Sequence, residues 1–211
     1  MKNKYVDFIS DEHFLDCVGN LHFAYLKAKS NITKKNFYTN KVDTIKLTFD
    51  AKFNDINEES LIQAEILRQI DKSINNSIGT FHEQILGGIK GFEVGNLSGY
   101  DIKAKDDSLF AVFGSKDISQ NISAAMFYKL ADDARFFLKA KLYYVLVDDD
   151  SDMNEKWIIG NEEYQVSQKR VFKISFKQFY TEITGQHNSY ENLKNAIPNV
   201  VKDYFLIQQP S

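Results

Sequence analysis

The chain has 211 residues, of which 43% are hydrophobic and 14% aromatic, so it can bury the core of a compact domain and wholesale disorder is excluded. Its formal net charge of −3 argues against a general nucleic-acid coat protein, and its single cysteine, Cys17, excludes a disulfide framework and a cysteine-rich zinc site. No apolar run approaches the roughly 18 residues that span a membrane. The N-terminus lacks a signal-peptide pattern, so we expect a cytoplasmic protein.

The first part of the chain has helical patterns. Ser10, followed by two acids, predicts the start of a helix that runs to about Lys29. Asn57 predicts the start of a second helix, which Gly79 interrupts and the glycines at 87–88 end. Its isoleucines recur at every fourth position and predict a core-facing stripe: Ile62, Ile66, Ile70, Ile74 and Ile78. Residues 30–40 form a polar loop, whose Lys34 and Lys35 either contact phosphates or are simply solvated.

Strand patterns dominate the rest of the chain. Two short strands are predicted at 99–101 and 109–113, a helix at 119–137, and a strand covered on both faces at 142–147. Further strands are expected at 157–159 and 170–175, a helix at 176–183, and two short helices on either side of Pro198. We therefore predict one α/β domain over residues 1–211, with a mixed central β-sheet flanked by α-helices. It divides into N-terminal helices (1–90), a sheet core (91–150) and C-terminal strands and helices (151–211).

Three side chains are the candidates for phosphodiester chemistry. Asp101 ends a short strand beside glycines and supplies a carboxylate for a divalent cation, and Glu83 on the preceding helix supplies a second. Mg²⁺ usually takes one or two protein carboxylates, so two acids suffice if they converge. Lys116, just after the second strand, supplies a cation for developing charge, a role for which Lys103 and Lys105 compete. The alternative for each is an ordinary surface or turn residue.

The chain resembles the PD-(D/E)xK nucleases and, more closely, the type II restriction endonucleases that cut at GGNCC sites. The resemblance shows in residues 77–88, in the glycine-flanked Asp101, in the segment from Lys116 to Asn121, and in the C-terminal run around Trp157 and Arg170. It implies a restriction-endonuclease-like fold and Mg²⁺-dependent hydrolysis of both strands at a short palindromic site. It also implies a homodimer acting on double-stranded DNA and a cognate methyltransferase as genetic partner.

The resemblance breaks down on the second strand. The acid that the family has there falls on Val112, and the lysine falls on Gly114. One interpretation is a migrated site, with Glu83, Asp132 or Asp133 as the second acid and Lys116 or Lys103 as the cation. The others are a catalytically impaired relative that binds DNA without cutting it, and an altered or engineered form.

Contacts with DNA are expected from basic and amide side chains. Phosphate contacts supply most of the affinity, and Arg or Lys donating to guanine reads a G·C-rich site. Lys169 and Arg170 are the expected contacts in the C-terminal half, with Asn121, Lys34 and Lys35. The alternative for the first two is a charged strand edge that prevents aggregation.

Overall fold

The structure is a computed structural model that describes residues 3–31, 44–95, 99–160 and 165–208. These residues fall into two compact units, Met1–Leu15 with Glu83–Ser211, and Asp16–His82. A single domain over residues 1–211 stays a prediction. Among the described residues, no helix is long and apolar enough to cross a membrane.

The first unit contains a mixed sheet, whose strands in the described residues are β1 (Phe92–Val94), β2 (Ile102–Ala104), β3 (Leu109–Gly114), β4 (Lys141–Leu146), β5 (Asn154–Gly160) and β6 (Gln165–Ser175). The strands lie in the order β1-β2-β3-β4-β6-β5. β1, β2 and β3 pair antiparallel, β3, β4 and β6 pair parallel, and β5 is antiparallel to β6. The predicted α/β class with a mixed central sheet is confirmed.

The helices are α1 (Asp11–Asn31), α2 (Thr44–Asn54), α3 (Glu58–Gly87), α4 (Gln120–Phe136), α5 (Phe176–Thr184) and α6 (Ser189–Gln208). Hydroxyl and amide side chains cap several of them as the sequence predicts. The Asn57 side chain accepts from the Ser60 N–H at 2.9 Å, and Ser119 accepts from the Ile122 N–H at 3.5 Å. Gly185 ends α5 in the left-handed conformation, with φ of 68°.

The two faces of the sheet are covered by different helices. Residues of α4 form a buried cluster with β3, β4 and β5 that includes Phe110, Val112, Phe127, Leu130, Tyr144 and Trp157. On the other face, Phe113 meets Phe176 and Phe179 of α5 edge-on, with ring centroids 5.9 Å apart in both pairs. Alternate residues of β3 therefore pack in different layers, Val112 against α4 and Phe113 against α5.

Several predicted boundaries are wrong. Gly79 does not interrupt α3, because a helical glycine costs only about 1 kcal/mol relative to alanine. Pro198 lies inside α6 rather than between two helices, since the buried face formed by Leu193, Ala196 and Val200 continues past it. A proline removes one backbone bond but leaves that face intact. The three-residue strand β1 was not predicted, because it is too short to show an alternating pattern.

The second unit, Asp16–His82, is helical where the structure describes it. The isoleucine stripe of α3 is only half-buried, and within residues 59–82 of α3 the most buried positions are Leu61 and Glu65, 8% exposed each, and Phe81, 4% exposed. The predicted core stripe is therefore displaced towards neighbouring positions of the helix. The Glu65 carboxylate is held by the Arg68 guanidinium at 2.5 Å, which lowers its pKa.

Candidate active site

Asp101 lies in a bend immediately before β2, not at the end of a strand as predicted. Gly99, with φ of 87°, allows the chain to bend there. The Asp101 N–H donates to the Ala111 carbonyl at 3.0 Å, and its Oδ2 accepts from the Phe113 N–H at 2.7 Å. A carboxylate held through one oxygen can still offer the other oxygen to a cation.

Glu83 lies in the last turns of α3. We call the region around Glu83 and the bend at Asp101 the corner. Burial raises the pKa of Glu83, and the negative charge of Asp101 raises it further. The two acids predicted as a metal pair are therefore close enough to repel each other. Across residues 3–31, 44–95, 99–160 and 165–208, no group of three or more His, Cys, Asp or Glu side chains is arranged to hold a metal ion. Asp101 and Glu83 form a pair of carboxylates.

The other acids considered for this site have structural partners instead. Asp133 accepts from the Tyr100 hydroxyl at 2.5 Å and from Lys129 at 3.3 Å. Asp132 pairs with Arg135 at 3.3 Å on the surface of α4. Burial lowers the pKa of His82 to about 4, so its ring is neutral at physiological pH. Neither the Asp133 contacts nor the Asp132 contact involves Asp101.

The three candidate lysines are separated by the fold. Lys103 pairs with Glu93 at 3.8 Å and Asp107 at 3.4 Å, and Lys105 lies exposed beyond β2. Lys116 follows the end of β3, its side chain is 64% exposed, and its ammonium lies 3.4 Å from Asp149. It comes three residues after Phe113, whose N–H holds Asp101, so the backbone path between the two is at most about 11 Å.

The positions on β3 where the resemblance predicts an acid and a lysine are Val112 and Gly114, and neither has a polar side chain. Val112 is 7% exposed and belongs to the cluster under α4. A Cβ at Gly114 would lie 2.0 Å from the Tyr144 hydroxyl oxygen, so Tyr144 would have to shift to admit any side chain at that position. Tyr144 stacks on Trp157, with centroids 4.9 Å apart. Sequence reasoning missed Tyr144, because only the pairing of β3 with β4 shows that it meets Gly114.

The predicted DNA contacts differ in their surroundings. Lys34 and Lys35 lie outside the described residues. Asn121 is exposed in the first turn of α4 and lines a groove of about 650 Å³, together with Lys116, Tyr128 and Lys173. Lys169 is exposed on β6.

Arg170 is engaged elsewhere. Its guanidinium donates to the Phe137 carbonyl at 2.8 Å and to the Ala134 carbonyl. These carbonyls lie at the C-terminus of α4, where a cation is favoured. The guanidinium would have to leave them to reach a base, so a DNA contact by Arg170 stays a prediction.

The sheet topology and the position of Asp101 together indicate a structural class of protein. Three antiparallel strands, a crossover helix to a parallel strand, and a carboxylate at the start of β2 form a restriction-endonuclease-like α/β fold. The family model described as Eco47II restriction endonuclease matches residues 6–206. The chain belongs to this family, and the prediction of a type II site-specific deoxyribonuclease is confirmed at that level.

Two curated relatives support the assignment. The type II restriction enzyme Sau96I of Staphylococcus aureus is 33% identical over 215 residues, covering 97% of this chain and 82% of that protein. The type II restriction enzyme Eco47II of Escherichia coli is 33% identical over 94 residues, covering 44% of this chain and 38% of that protein. No solved structure matches the chain at a significant level.

Proposed function

We propose that the chain is a Mg²⁺-dependent endonuclease of the PD-(D/E)xK type that hydrolyses both strands of duplex DNA at a short palindromic, GGNCC-like site. The observation that carries this proposal is the carboxylate pair of Asp101 and Glu83 at the start of β2. It occurs in a chain whose family match extends over residues 6–206.

The residues of this corner fit a magnesium ion. Mg²⁺ prefers oxygen ligands and is commonly held by one or two carboxylates, with water and phosphate completing the shell. Asp101 and Glu83 would hold it, and a bound cation would relieve both the burial cost and the Asp101 repulsion that raise the pKa of Glu83. When bound, the ion polarises the phosphate and favours an ionised water at neutral pH.

Lys116 is the lysine we assign to the phosphate. It follows the strand whose Phe113 N–H fixes Asp101, and its side chain is exposed. An ammonium group there supplies positive charge where the phosphate gains negative charge. Lys103, by contrast, is paired with two acids of the β1–β3 region.

The DNA and partner assignments follow from the same function. Lys34, Lys35, Asn121 and Lys169 are proposed to contact duplex DNA, with Arg170 as a further candidate. A palindromic site is cut on both strands by a two-fold homodimer, which we propose as the working form. Such a system needs a cognate DNA methyltransferase to protect the host, and we place both proteins in the cytoplasm with the DNA.

The test is cleavage of DNA carrying GGNCC sites, with Mg²⁺ at low salt. We expect defined fragments from the native protein and a loss of about 10³-fold or more for Asp101→Asn, because a metal ligand contributes several kcal/mol. Asp106→Asn is the matched control, since Asp106 contacts only Ser108 within the same hairpin, at 2.6 and 3.1 Å. Equal activity of the two variants would refute the role of Asp101.

A second function is favoured by one observation. Val112 is buried and Tyr144 would have to shift to admit a side chain at Gly114, so the acid and lysine that the resemblance predicts are both missing from β3. This favours a relative that binds DNA without cutting it. Retarded but intact DNA in the same assay, with Mg²⁺ present, would select this function over the endonuclease.

A further inference from the structure

The hydroxyl of Tyr144 takes the place of a side chain at position 114. Tyr144 is 3% exposed in the middle of β4, and its register partner on β3 is Val112. Its hydroxyl oxygen lies 2.0 Å from where a Cβ at Gly114 would be, and it donates to the Ser115 carbonyl at 3.2 Å. Glycine at 114 is therefore what allows the hydroxyl to reach Ser115.

The peptide group between Ser115 and Lys116 is held on both sides. Tyr144 donates to its carbonyl, and its N–H, which belongs to Lys116, donates to Asp148 Oδ1 at 2.9 Å. The Ser115 hydroxyl donates to the same carboxylate at 2.6 Å. Because a peptide group is planar, holding its oxygen and its N–H fixes the orientation of the plane. The backbone from which the Lys116 side chain starts is thus fixed.

We propose that Tyr144 is a positioning residue that acts through Lys116, fixing the backbone that presents the Lys116 ammonium group to a DNA phosphate. This inference rests on the proposed function, since it needs Lys116 to face the substrate. In this arrangement the lysine stands two residues beyond the family's position, and the tyrosine fills the space at that position.

The test compares Tyr144→Phe with Tyr143→Phe. Tyr143 is the neighbouring tyrosine of β4, 1% exposed, and its ring packs on Phe172 and Phe179. Both variants delete one phenol oxygen from β4, so both report the stability cost of removing one buried hydroxyl from that strand. We expect Tyr144→Phe to lower kcat roughly fivefold, the scale of one hydrogen bond, with KM little changed. Tyr143→Phe should leave kcat unchanged.

The decisive step repeats Tyr144→Phe in a Lys116→Ala background. A residue that acts only through Lys116 has nothing left to position there, so the double variant should cleave as slowly as Lys116→Ala alone. A further loss in kcat of the same factor would overturn the inference while leaving the endonuclease intact.

Hydrogen exchange of the Lys116 amide provides a readout independent of cleavage. We expect faster exchange in Tyr144→Phe than in the native protein and in Tyr143→Phe, because the carbonyl side of the peptide group is released. Unchanged exchange would overturn the positioning role. If the native protein cuts no DNA, the proposed function fails and the role in presenting Lys116 to substrate fails with it, whatever the exchange rates.

Discussion

The corner at Asp101 and the neighbouring end of β3 differ in what they do with polar groups. At the corner, Asp101 and Glu83 supply two carboxylates, and the pKa of Glu83 is raised by burial first and then by the charge of Asp101. At the end of β3, Val112 and Gly114 pack against aromatic rings. One region of the fold thus holds carboxylates at an energetic cost, while a neighbouring region is well-packed core.

Glu83→Gln tests the electrostatic cost at the corner and has the largest expected effect. We expect cleavage to fall by about 10²-fold or more, because a ligand of the cation is lost. In EDTA at pH 7 to 8, however, Tm should rise. The folded protein disfavours ionised Glu83, so its charge destabilises the fold above its raised pKa, and the amide removes that penalty.

The Tm difference between Glu83→Gln and the native protein should depend on pH. The Tm difference should shrink as the pH falls below the raised pKa of Glu83 and vanish below its ordinary pKa of 4.5, where the side chain is protonated in the folded and unfolded states alike. Glu93→Gln is the control, because Glu93 pairs with Lys103 at 3.8 Å. A lower Tm for Glu83→Gln at pH 7 to 8 would show that ionised Glu83 carries no such penalty in the folded protein.

Gly114→Ala tests the packed end of β3. Its Cβ would lie 2.0 Å from the Tyr144 hydroxyl, so we expect unfolding free energy to fall by about 1–3 kcal/mol. Gly79→Ala is the opposite case, since nothing lies within 4 Å of its Cβ position in α3. There we expect a gain of about 1 kcal/mol from helix propensity. Urea unfolding measures both, and similar effects at the two glycines would contradict the packing described for Gly114.

Local signals in the sequence predicted much of this fold. The apolar run of β4 and the cap at Asn57 each depend on neighbouring residues, and each was predicted. Asp101 and Glu83 were chosen from their residue types and their positions on a predicted strand and helix, and their shared role stays a prediction.

Features set by long-range pairing could not be predicted. The contact between Tyr144 and Gly114 depends on the register in which β3 pairs with β4, and one strand alone carries no information on it. The positions of the candidate lysines depend on the fold in the same way. Lys103 and Lys116 lie near each other in sequence, yet their ammonium groups pair with different acids in separate parts of the sheet.

Lys169 and Arg170 show the same contrast. Arg170 is hydrogen-bonded within the fold, whereas Lys169 is exposed and available to a ligand. Arg170 donates to carbonyls at the end of α4, so Arg170→Met should lower the unfolding free energy by about 1.5 kcal/mol. Lys169 is exposed, and Lys169→Met should leave stability unchanged. If Lys169 contacts a phosphate, Lys169→Met should instead reduce the slope of log K for DNA binding against log salt concentration by about one. Equal stability losses in both variants, or an unchanged salt slope for Lys169→Met, would remove this distinction.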